Sequence, residues 1–380
     1  MADAPLRPWT GLRVALVHDW LTGMRGGEKV LESICRLFPD APLYTLVHDR
    51  ASVSRLIEGR PIHTSLIQRL PQAARRYRHY LPLFPIAIEQ FDFDRVDLIV
   101  STSHCAAKSV VRTGRAVHLC YCHSPMRYAW DQFDAYFGPD RLGSLPSALA
   151  RRVMAWLARW DRDTAHRVDT YLANSHYVAG RIARYYNRQA TVLHPPVDTD
   201  FFTPNGVAPT PEFLVVSALV PYKRLDIAID AATRVGAPLT IVGSGPDEAR
   251  LRARAGATVT FAGTLEGPAL RDRYRQARAV LLPGEEDFGI VPVEAMACGR
   301  PVIALGTGGA TETVVPGVTG LLVAPGVDAF ADALRHFDDA AYNPTTIRAH
   351  AERFATSRFE AGFADAVAAT LATFTRGAAC

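Results

Sequence analysis

Apolar runs alternate with segments of helical periodicity along the whole chain, in two successive series. The first series comprises LRVALV (12–17), APLYTLV (41–47), VDLIVSTS (96–103), AVHLCYCH (116–123) and TYLANS (170–175). The second comprises EFLVVSAL (212–219), PLTIVGSG (238–245), ATVTFAGT (257–264), ARAVLLP (277–283), RPVIAL (300–305) and GLLVAP (320–325). Such runs are typical of parallel strands that helices cover on both faces. The sequence therefore predicts an α/β fold with two doubly wound domains.

The length of the chain also favours two domains. Single hydrophobic cores stop growing at roughly 250–300 residues, and this chain has 380. The segment 194–212 is rich in proline and polar residues and lacks periodicity, as linkers do. We expect an N-terminal domain over 1–195, a C-terminal domain over 196–356, and a C-terminal helix over 357–380 that packs back on the N-terminal domain. Helical patterns at 327–338 and 345–375 follow the last strand.

The two halves differ in charge. Residues 1–195 carry 26 Lys and Arg against 17 Asp and Glu, a net of +9, whereas residues 196–380 carry 16 against 21, a net of −5. A basic first domain suggests an anionic surface or partner. Basic residues gather at 69–82 and at 149–163, where Trp156 and Trp160 complete a basic amphipathic helix. This helix could contact a membrane or present an ordinary solvated face.

Composition favours a soluble protein of the cytoplasm. The chain is 48% hydrophobic and 21% charged, and no apolar run approaches the roughly 20 residues that cross a bilayer. The opening MADAPLRPWTGLRVALV lacks the apolar core of a signal peptide. The six cysteines lack C-x-x-C spacing and are predicted to be buried, reduced thiols: Cys35, Cys105, Cys120, Cys122, Cys298 and Cys380.

Ligands of doubly wound folds bind beyond the carboxyl ends of the strands, so the strand-to-loop junctions are candidate sites. After the first strand, HDWLTGMRGGEKVLE places Gly26 and Gly27 before a helix that we expect to open at Glu28. A glycine turn at a helix N-terminus offers backbone N–H groups and the positive end of the helix dipole to an anion. A turn that only reverses the chain is the alternative.

The second series offers a cationic junction. Only three of the 42 basic residues are lysines, and one of them, Lys223, follows an apolar strand beside Arg224. The pair could bind a phosphate, since cations at a helix N-terminus oppose its dipole and need another reason to be there. Next along the chain, the G-x-G at Gly243 and Gly245 is weak alone and gains weight only from its position.

Four acids surround the junction GEEDFGIVPVEAMACG (284–299). If Pro292 takes the first helical position and Gly299 ends the helix, Glu294 lies in the first turn and Glu286 in the loop before it. Because carboxylates repel phosphate, these two acids more plausibly accept hydrogen bonds from hydroxyls while the cationic junction binds the negative charge. Hydroxyls plus a diphosphate describe a nucleotide sugar. Glu285 and Asp287 are better explained as solvated or dipole-complementing neighbours.

One histidine stands out in the first series. His123 ends an apolar strand and precedes Arg127, Trp130 and Asp131, which are candidate acceptor-binding residues. A structural role for a single histidine stays open, although its place at a strand end favours function. The D-x-D pairs at 92–94 and 198–200 do not follow buried strands, so we predict no metal site and no cofactor.

These motifs resemble the retaining family-4 (group 1) glycosyltransferases of the GT-B fold, which has two Rossmann-like domains with parallel sheets facing each other across a cleft. EEDFGIVPVEAMACGRPVIALGTGGATETV (285–314) resembles the family signature of two glutamates separated by seven residues. The resemblance covers nearly the whole chain and extends to VSALVPYKRLDIAI (216–229), IVGSGPDEARL (241–251), HDWLTGMRGGEKVLE (18–32) and YCHSPMRYAWD (121–131). The last two look most like bacterial mannosyltransferases of O-antigen and exopolysaccharide assembly.

The resemblance implies donor contacts in the second domain. Glu286 would contact the donor hexose and Glu294 the ribose hydroxyls. The backbone of Phe288, Gly289 and Ile290 would approach the phosphate and sugar. The remaining donor-binding residues implied are Gly26, Gly27, Lys223, Arg224 and Gly243.

The resemblance also implies that His123 and Glu286 are the catalytic residues, with His123 beside the reacting hexose. One position departs from the family, because many members carry an arginine where this chain has Ala218. Lys223 and Arg224 must then neutralise the leaving group with less help.

The sequence thus predicts a metal-independent, retaining hexosyltransferase, with mannose from GDP-mannose as the expected donor. The acceptor would be a lipid-linked saccharide of surface polysaccharide biosynthesis, and the enzyme could be peripheral at the inner face of the plasma membrane; no nucleic acid is expected as a partner. The alternatives are a related sugar-nucleotide enzyme such as an epimerase, or a catalytically silent nucleotide-sugar-binding protein. A phosphorylase lacks a suitable cofactor lysine, and a nicotinamide dehydrogenase lacks a G-x-G-x-x-G after the first strand of either domain.

Overall fold

The computed structural model describes residues 8–377, and Cys380 lies outside that range. The chain divides into two units, one formed by residues 1–196 and 359–380 and the other by residues 197–358. The linker segment enters the second unit at Val197, whose backbone pairs with that of Ala355.

The first unit contains a seven-stranded parallel sheet. Its order is β3-β2-β1-β4-β5-β6-β7. The strands are β1 (Val14–His18), β2 (Leu43–Thr45), β3 (Ile62–Thr64), β4 (Leu98–Ser103), β5 (Val117–Cys122), β6 (Thr170–Ala173) and β7 (Ala190–Val192). The order runs one way from β1 to β3 and the other way from β4 to β7, so the point between β1 and β4 is the topological switch point of this sheet.

Helices cover both faces of this sheet. They are α1 (Gly26–Leu37), α2 (Arg55–Glu58), α3 (Ala73–Arg76), α4 (Phe84–Glu89), α5 (Arg127–Trp130), α6 (Phe133–Phe137), α7 (Pro139–Leu142), α8 (Ser144–Asp163) and α9 (His176–Tyr186). Short 3-10 helices lie at Leu66–Arg69, Tyr77–Leu83, Ala107–Ser109 and Ala165–Arg167. The apolar stripe of α1 packs in one core cluster with Phe359 and Phe363 near the C-terminus, and the Phe359 ring meets Tyr121 of β5 edge-on at 5.6 Å. The C-terminal segment therefore packs in the first unit.

The second unit contains a six-stranded parallel sheet of order β10-β9-β8-β11-β12-β13. Its strands are β8 (Phe213–Val216), β9 (Leu239–Val242), β10 (Val259–Gly263), β11 (Val280–Leu282), β12 (Val302–Leu305) and β13 (Gly320–Val323). Its helices are α10 (Leu225–Val235), α11 (Glu248–Arg254), α12 (Gly267–Gln276), α13 (Ile290–Ala297), α14 (Ala310–Thr313), α15 (Val327–Arg335) and α16 (Pro344–Ala351), with 3-10 helices at Pro221–Lys223, Asp339–Ala341 and Glu352–Phe354. The last helix of the chain, α17 (Thr356–Gly377), begins in this unit.

The predicted α/β fold of two doubly wound parallel sheets is confirmed, and each predicted apolar run contains a strand. Two details of the prediction were wrong. The predicted helix over 345–375 is interrupted at residues 352–355, where a 3-10 turn and an extended residue separate α16 from α17. The edge strands β3 and β7 were missed, because each is three residues long and half exposed, so neither forms an apolar run.

The described cysteines are free and buried, as predicted. Burial raises the pKa of Cys35, Cys120 and Cys298 to about 12, so these side chains are neutral thiols at ordinary pH.

Candidate functional site

The loops that follow β8 and β11 leave the sheet of the second unit at its topological switch point. Strands β8 and β11 are neighbours, and the order of strands reverses between them. The first of these loops carries the 3-10 turn Pro221–Lys223, and the second runs through residues 283–289 to α13. This point is the expected ligand site of a doubly wound sheet.

An ion pair crosses the switch point. Lys223 and Glu286 are 63 residues apart in sequence, and the Lys223 ammonium donates to Oε1 of Glu286. Both side chains are mostly buried. A cation and a carboxylate thus lie side by side at the strand ends. A ligand could replace this ion pair if its anionic group bound the cation and its hydroxyls donated to the carboxylate.

Three glycines of neighbouring loops allow the backbone of the loop after β8 to pack closely against them. A Cβ atom at Gly243 would stand 1.9 Å from the carbonyl oxygen of Ser217, and one at Gly245 would stand 2.4 Å from that of Leu219. A Cβ at Gly284 would stand 2.6 Å from the carbonyl oxygen of Lys223. The loop that carries Lys223 is therefore packed on two sides against neighbouring backbone segments, and only glycine leaves room for this close approach. Gly243, predicted to bind the donor, has this structural role whether or not it contacts a ligand.

Replacing Gly243 by alanine is expected to destabilise the protein by more than about 2 kcal/mol, because Gly243 combines a φ of +136° with the close approach to Ser217. Gly236 is the matched control, since its φ of +69° is also left-handed but its added Cβ would meet no atom within 4 Å. Gly236→Ala should cost about 1 kcal/mol. Urea unfolding followed by circular dichroism compares the two variants, and equal losses would contradict the importance of the close approach.

The loop after β11 is held from the side of β12. The N–H of Gly309 donates to the carbonyl oxygen of Glu286 at 2.8 Å, and a Cβ at Gly308 would stand 2.5 Å from the same oxygen. Gly289 has a φ of +88° and precedes the first residue of α13. These contacts position Glu286 next to the N-terminus of α13.

The predicted start of α13 was two residues too late. The helix begins at Ile290, and Pro292 is its third residue rather than its first. A proline is tolerated there because the first N–H groups of a helix have no partner within it. Glu294 consequently lies in the second turn and not in the first, buried, where its Oε2 accepts a hydrogen bond from the Tyr274 hydroxyl at 2.8 Å. Burial and the Glu294 carboxylate raise the pKa of Tyr274 well above its usual value, so Tyr274 is the donor.

The other residues of this junction divide between core and surface. The Phe288 side chain is buried and its ring lies 5.5 Å from that of Phe354, so only the backbone of Phe288 is available to a ligand. Glu285 is exposed, whereas Asp287 is buried, so of the two predicted explanations for Asp287 the solvated one is wrong. Asp287 lies three residues before α13, where a carboxylate can still complement the helix dipole. Arg224 has a left-handed φ of 51°, directly precedes α10 as its N-cap residue, and pairs with Asp226 at 3.2 Å.

The glycine turn of the first unit leads from its own switch point. Helix α1 begins at Gly26, two residues before the predicted start at Glu28. Glu28 is buried, and its Oε2 accepts the backbone N–H of Arg25 at 3.0 Å, which closes the turn onto the first residues of the helix. Its Oε1 lies 3.7 Å from Nε2 of His18.

A buried polar cluster lies beside this turn. Asp19 accepts backbone N–H groups from four consecutive residues, 104–107, at 2.6–3.0 Å, and its Oδ2 lies 3.0 Å from Nδ1 of His104. Burial acts to raise the pKa of Asp19, but His104 and these N–H groups hold it below its usual value. Nδ1 of His18 lies 2.6 Å from the Thr102 hydroxyl. Asp19 therefore connects the loop after β1 to the loop after β4, and His18 connects the end of β1 to β4.

His123 completes the cluster with a nitrogen that lacks a partner. Its Nε2 is inaccessible and has no hydrogen bond to any residue between 8 and 377. Burial, with His104 and His18 nearby, lowers the pKa of His123 to about 3, so the imidazole is neutral at ordinary pH. A Cβ at Gly27 would stand 3.6 Å from this Nε2 and 3.6 Å from Cε1 of His18. Gly27 thus leaves a methyl-sized space against His123.

Trp130 and Asp131, both predicted to bind an acceptor, make hydrogen bonds within the first unit. The Trp130 indole N–H donates to Oδ2 of Asp161 at 2.8 Å, and its ring stacks on Tyr185 at 4.6 Å. Asp131 accepts hydrogen bonds from Arg181 and from the Tyr185 hydroxyl. Trp130 and Asp131 fasten α5 to α8 and α9, while Arg127, the first residue of α5, is partly exposed. An acceptor role for these residues stays a prediction.

Within residues 8–377, no group of three or more His, Cys, Asp or Glu side chains is arranged to hold a metal ion. The D-x-D pairs make local turns instead: Asp92 Oδ1 accepts the N–H of Asp94 at 2.9 Å, and Asp198 Oδ1 accepts that of Phe201 at 2.9 Å.

Two protein-family models match the chain, one in each unit. The model for Glycosyltransferase Family 4 matches residues 24–201, and the model for Glycosyl transferases group 1 matches residues 210–337. Together the matches cover most of the chain. This chain belongs to the family-4 glycosyltransferases.

Curated relatives of this glycosyltransferase share part of their length with it. A D-inositol 3-phosphate glycosyltransferase from Kribbella flavida is 35% identical over 211 residues, which are 46% of this chain and 49% of the relative. A protein of the same name from Mycolicibacterium smegmatis is 31% identical over 188 residues, 43% of each chain. The chain thus spans about half the length of the curated relatives it matches.

Solved structures show that the glycosyltransferase has the GT-B fold. The Anabaena protein HepE, solved in complex with UDP-glucose, has a TM-score of 0.70 at 20% identity, covering 94% of this chain and 99% of HepE. Sucrose-phosphate synthase from Thermosynechococcus elongatus has a TM-score of 0.65 at 19% identity, covering 96% and 98%. At these identities the likeness concerns the fold alone.

Most residues of the buried polar cluster in the first unit of the glycosyltransferase were not predicted as site residues from the sequence. His18, Asp19, Thr102 and His104 lie at the ends of β1 and β4, the two strands that flank the switch point. The signal that could have found them is the pair of polar clusters, HD at 18–19 and STSH at 101–104, each directly after an apolar run.

Proposed function

We propose that the protein is a metal-independent, retaining glycosyltransferase that moves a hexose from a nucleoside diphosphate sugar to a hydroxyl acceptor. The observation that carries the proposal is the Lys223–Glu286 pair at the switch point, beside the N-terminus of α13. A nucleotide sugar offers a diphosphate to Lys223, Arg224 and the helix end, and sugar hydroxyls to the carboxylate. Nucleotide-sugar binding by the solved relative HepE, which shares the fold, is consistent with this assignment.

In the proposed reaction the bond between the anomeric carbon and the leaving phosphate breaks while a bond from that carbon to the acceptor oxygen forms on the same face. The acceptor proton passes to the departing phosphate oxygen. Lys223 and Arg224 stabilise the negative charge that develops there, which is where preorganised charge contributes most. The buried Nε2 of His123 has no partner in the described residues, and we propose that it hydrogen-bonds the reacting sugar when the substrate enters the space beside Gly27. Because the imidazole is neutral, it would not supply a charge.

The donor is proposed to be GDP-mannose, with UDP sugars as the alternative that the name of the HepE complex favours. A thermal-shift screen against GDP, UDP and their sugars identifies the base, because a ligand at 100 times its Kd adds about 2.7 kcal/mol of stability. We expect one nucleoside diphosphate to raise the Tm by several degrees and Lys223→Ala to abolish that shift. The absence of any shift would contradict the donor assignment.

The acceptor is proposed to be anionic, because residues 1–195 carry a net charge of +9. A polyprenyl-diphosphate-linked saccharide of surface polysaccharide biosynthesis, used at the cytoplasmic face of the membrane, meets this requirement. An inositol phosphate meets it too and is favoured by the name of the curated relatives. Incubating the donor with each acceptor and detecting the glycosylated product distinguishes the two. Donor binding without transfer to any acceptor tried would favour a catalytically silent binding protein.

A further inference from the structure

Helix α8 has an apolar stripe on the face turned away from the core. Its inner face buries Met154, Leu157 and Asp161. Leu145, Leu149 and Trp156 recur at spacings of four and seven residues, which places them together on the opposite face. They are 82%, 65% and 42% exposed. The helix thus carries a second apolar stripe that nothing in the described chain covers.

Exposed apolar side chains concentrate around this stripe. Six of the eight large hydrophobic side chains that are exposed in the described part of the first unit lie in residues 83–86 or 142–156. Ile86 of α4 is 64% exposed. The C-terminal end of α4 is bound to α8, because Glu89 accepts the indole N–H of Trp160 at 3.0 Å. Of the two tryptophans predicted on an amphipathic face, only Trp156 is turned outward.

Uncompensated arginines flank the stripe. Arg152 and Arg159 lie on the same side of α8, are exposed, and form no ion pair with any residue that the structure describes. Arg151 and Arg162, further round the helix, pair with Asp134 and Asp163. Arginine can keep its charge in water while its stem covers apolar surface. Apolar and cationic side chains on one helix face match an anionic lipid surface, whereas the centre of a protein interface is depleted of charge.

A pocket of about 390 Å³ opens at the C-terminal end of the stripe. It is lined by Trp156, Arg159, Trp160, Asp163, Thr164 and Arg167. The acid of this lining, Asp163, is paired with Arg162. A tryptophan ring such as the outward-facing Trp156 prefers the level of lipid headgroups, and Arg159 beside it can bind a headgroup phosphate. The pocket lies on α8, not at the strand ends that hold the candidate catalytic site.

We propose that α8 lies in the plane of an anionic bilayer surface, with Leu145, Leu149 and Trp156 inserted between headgroups and Arg152 and Arg159 on phosphates. No helix in the described residues is long and apolar enough to span a membrane. The inference goes beyond the proposed function and does not depend on glycosyl transfer.

Vesicle flotation of the full chain tests the proposal without donor or acceptor. We expect binding to vesicles of phosphatidylcholine with 30 mol% phosphatidylglycerol, at least roughly tenfold weaker binding to pure phosphatidylcholine, and further weakening with salt. The double variant Leu145→Ser/Leu149→Ser should lose at least roughly tenfold in binding. Arg152→Gln/Arg159→Gln should lose a similar factor and most of the salt dependence.

The matched control replaces exposed apolar residues of the other unit. Val207 and Val318 are 51% and 41% exposed, and Val207→Ser/Val318→Ser should bind vesicles like the unchanged protein. Circular dichroism verifies that each variant is folded. Equal binding by the leucine variant and the unchanged protein would overturn the proposal. A failure of the unchanged protein to bind anionic vesicles at low salt would overturn it as well. The same holds if the leucine substitutions convert a dimer to a monomer while the unchanged protein does not bind vesicles. Either failure leaves the donor-binding and transfer assays of the proposed function unaffected.

Discussion

Glu286→Gln is expected to lower kcat/KM for glycosyl transfer by roughly 100- to 1000-fold, the range seen when one group that stabilises a transition state is removed. The amide keeps the shape of the side chain but removes the charge that faces Lys223 and the proposed sugar hydroxyls. Initial rates of transfer from the nucleotide sugar, with the Tm recorded for the same preparation, measure the effect.

Glu285→Gln is the control for this prediction, because Glu285 is the adjacent acid and is exposed. We expect its turnover to stay close to that of the unchanged enzyme, because Glu285 has no role in the proposed mechanism, and its stability to change by less than about 0.5 kcal/mol. A double variant with Lys223→Ala measures how much the ion pair contributes to stability, from the Tm values of the two single variants and the double variant. Its turnover is not expected to recover, because Lys223 itself belongs to the proposed donor site. Near-normal transfer by Glu286→Gln would remove this residue from the mechanism and with it the proposed donor site.

Gly27→Ala is expected to lower turnover roughly 100-fold while leaving the protein at least as stable as before. The added methyl meets His123 and His18 at ordinary contact distance, so it fits without a clash, but it fills the space against Nε2 of His123. Alanine also favours a helix over glycine by up to about 1 kcal/mol, and Gly27 is the second residue of α1. Steady-state kinetics and thermal unfolding together test both halves of the expectation.

Gly180→Ala provides the comparison for this variant. Gly180 lies within α9, and a Cβ there would meet no atom within 4 Å. This substitution should give the same gain in stability with unchanged turnover. If Gly27→Ala also keeps full activity, the turn does not approach the substrate and His123 does not act through the space beside it.

The sheets were largely predictable because buried parallel strands need apolar residues at nearly every position, which leaves a strong local signal. Strands such as β4 and β5 are fully buried and were found from their composition alone. The edge strands β3 and β7 are defined by hydrogen bonds with β2 and β6, so their own residues carry little signal for a strand. The break at 352–355 was missed for a similar reason, since the residues on both sides have helical composition.

The candidate site was predictable as a set of residues but not as an arrangement. Lys223 and Glu286 were each identified at a strand end, yet their ion pair joins loops 63 residues apart. Pro292 was placed at the first helical position by its local preference, whereas the helix begins at Ile290, after Gly289 with its left-handed φ of +88°. The same holds for Trp160, whose sequence context resembles that of Trp156 but whose indole faces Glu89.

The sequence by itself determined the α/β class, the two parallel sheets, the strand-to-loop junctions that are the candidate ligand sites, and the unequal charge of the two halves. Each of these follows from local patterns of apolar, glycine and charged residues. The tertiary structure alone decided which side chains meet: the Lys223–Glu286 pair, the Glu294–Tyr274 contact, the His123 nitrogen beside Gly27, and the outward stripe of α8. Contacts between residues far apart in sequence depend on strand order and on close backbone packing, and neither of these can be predicted from a local sequence pattern.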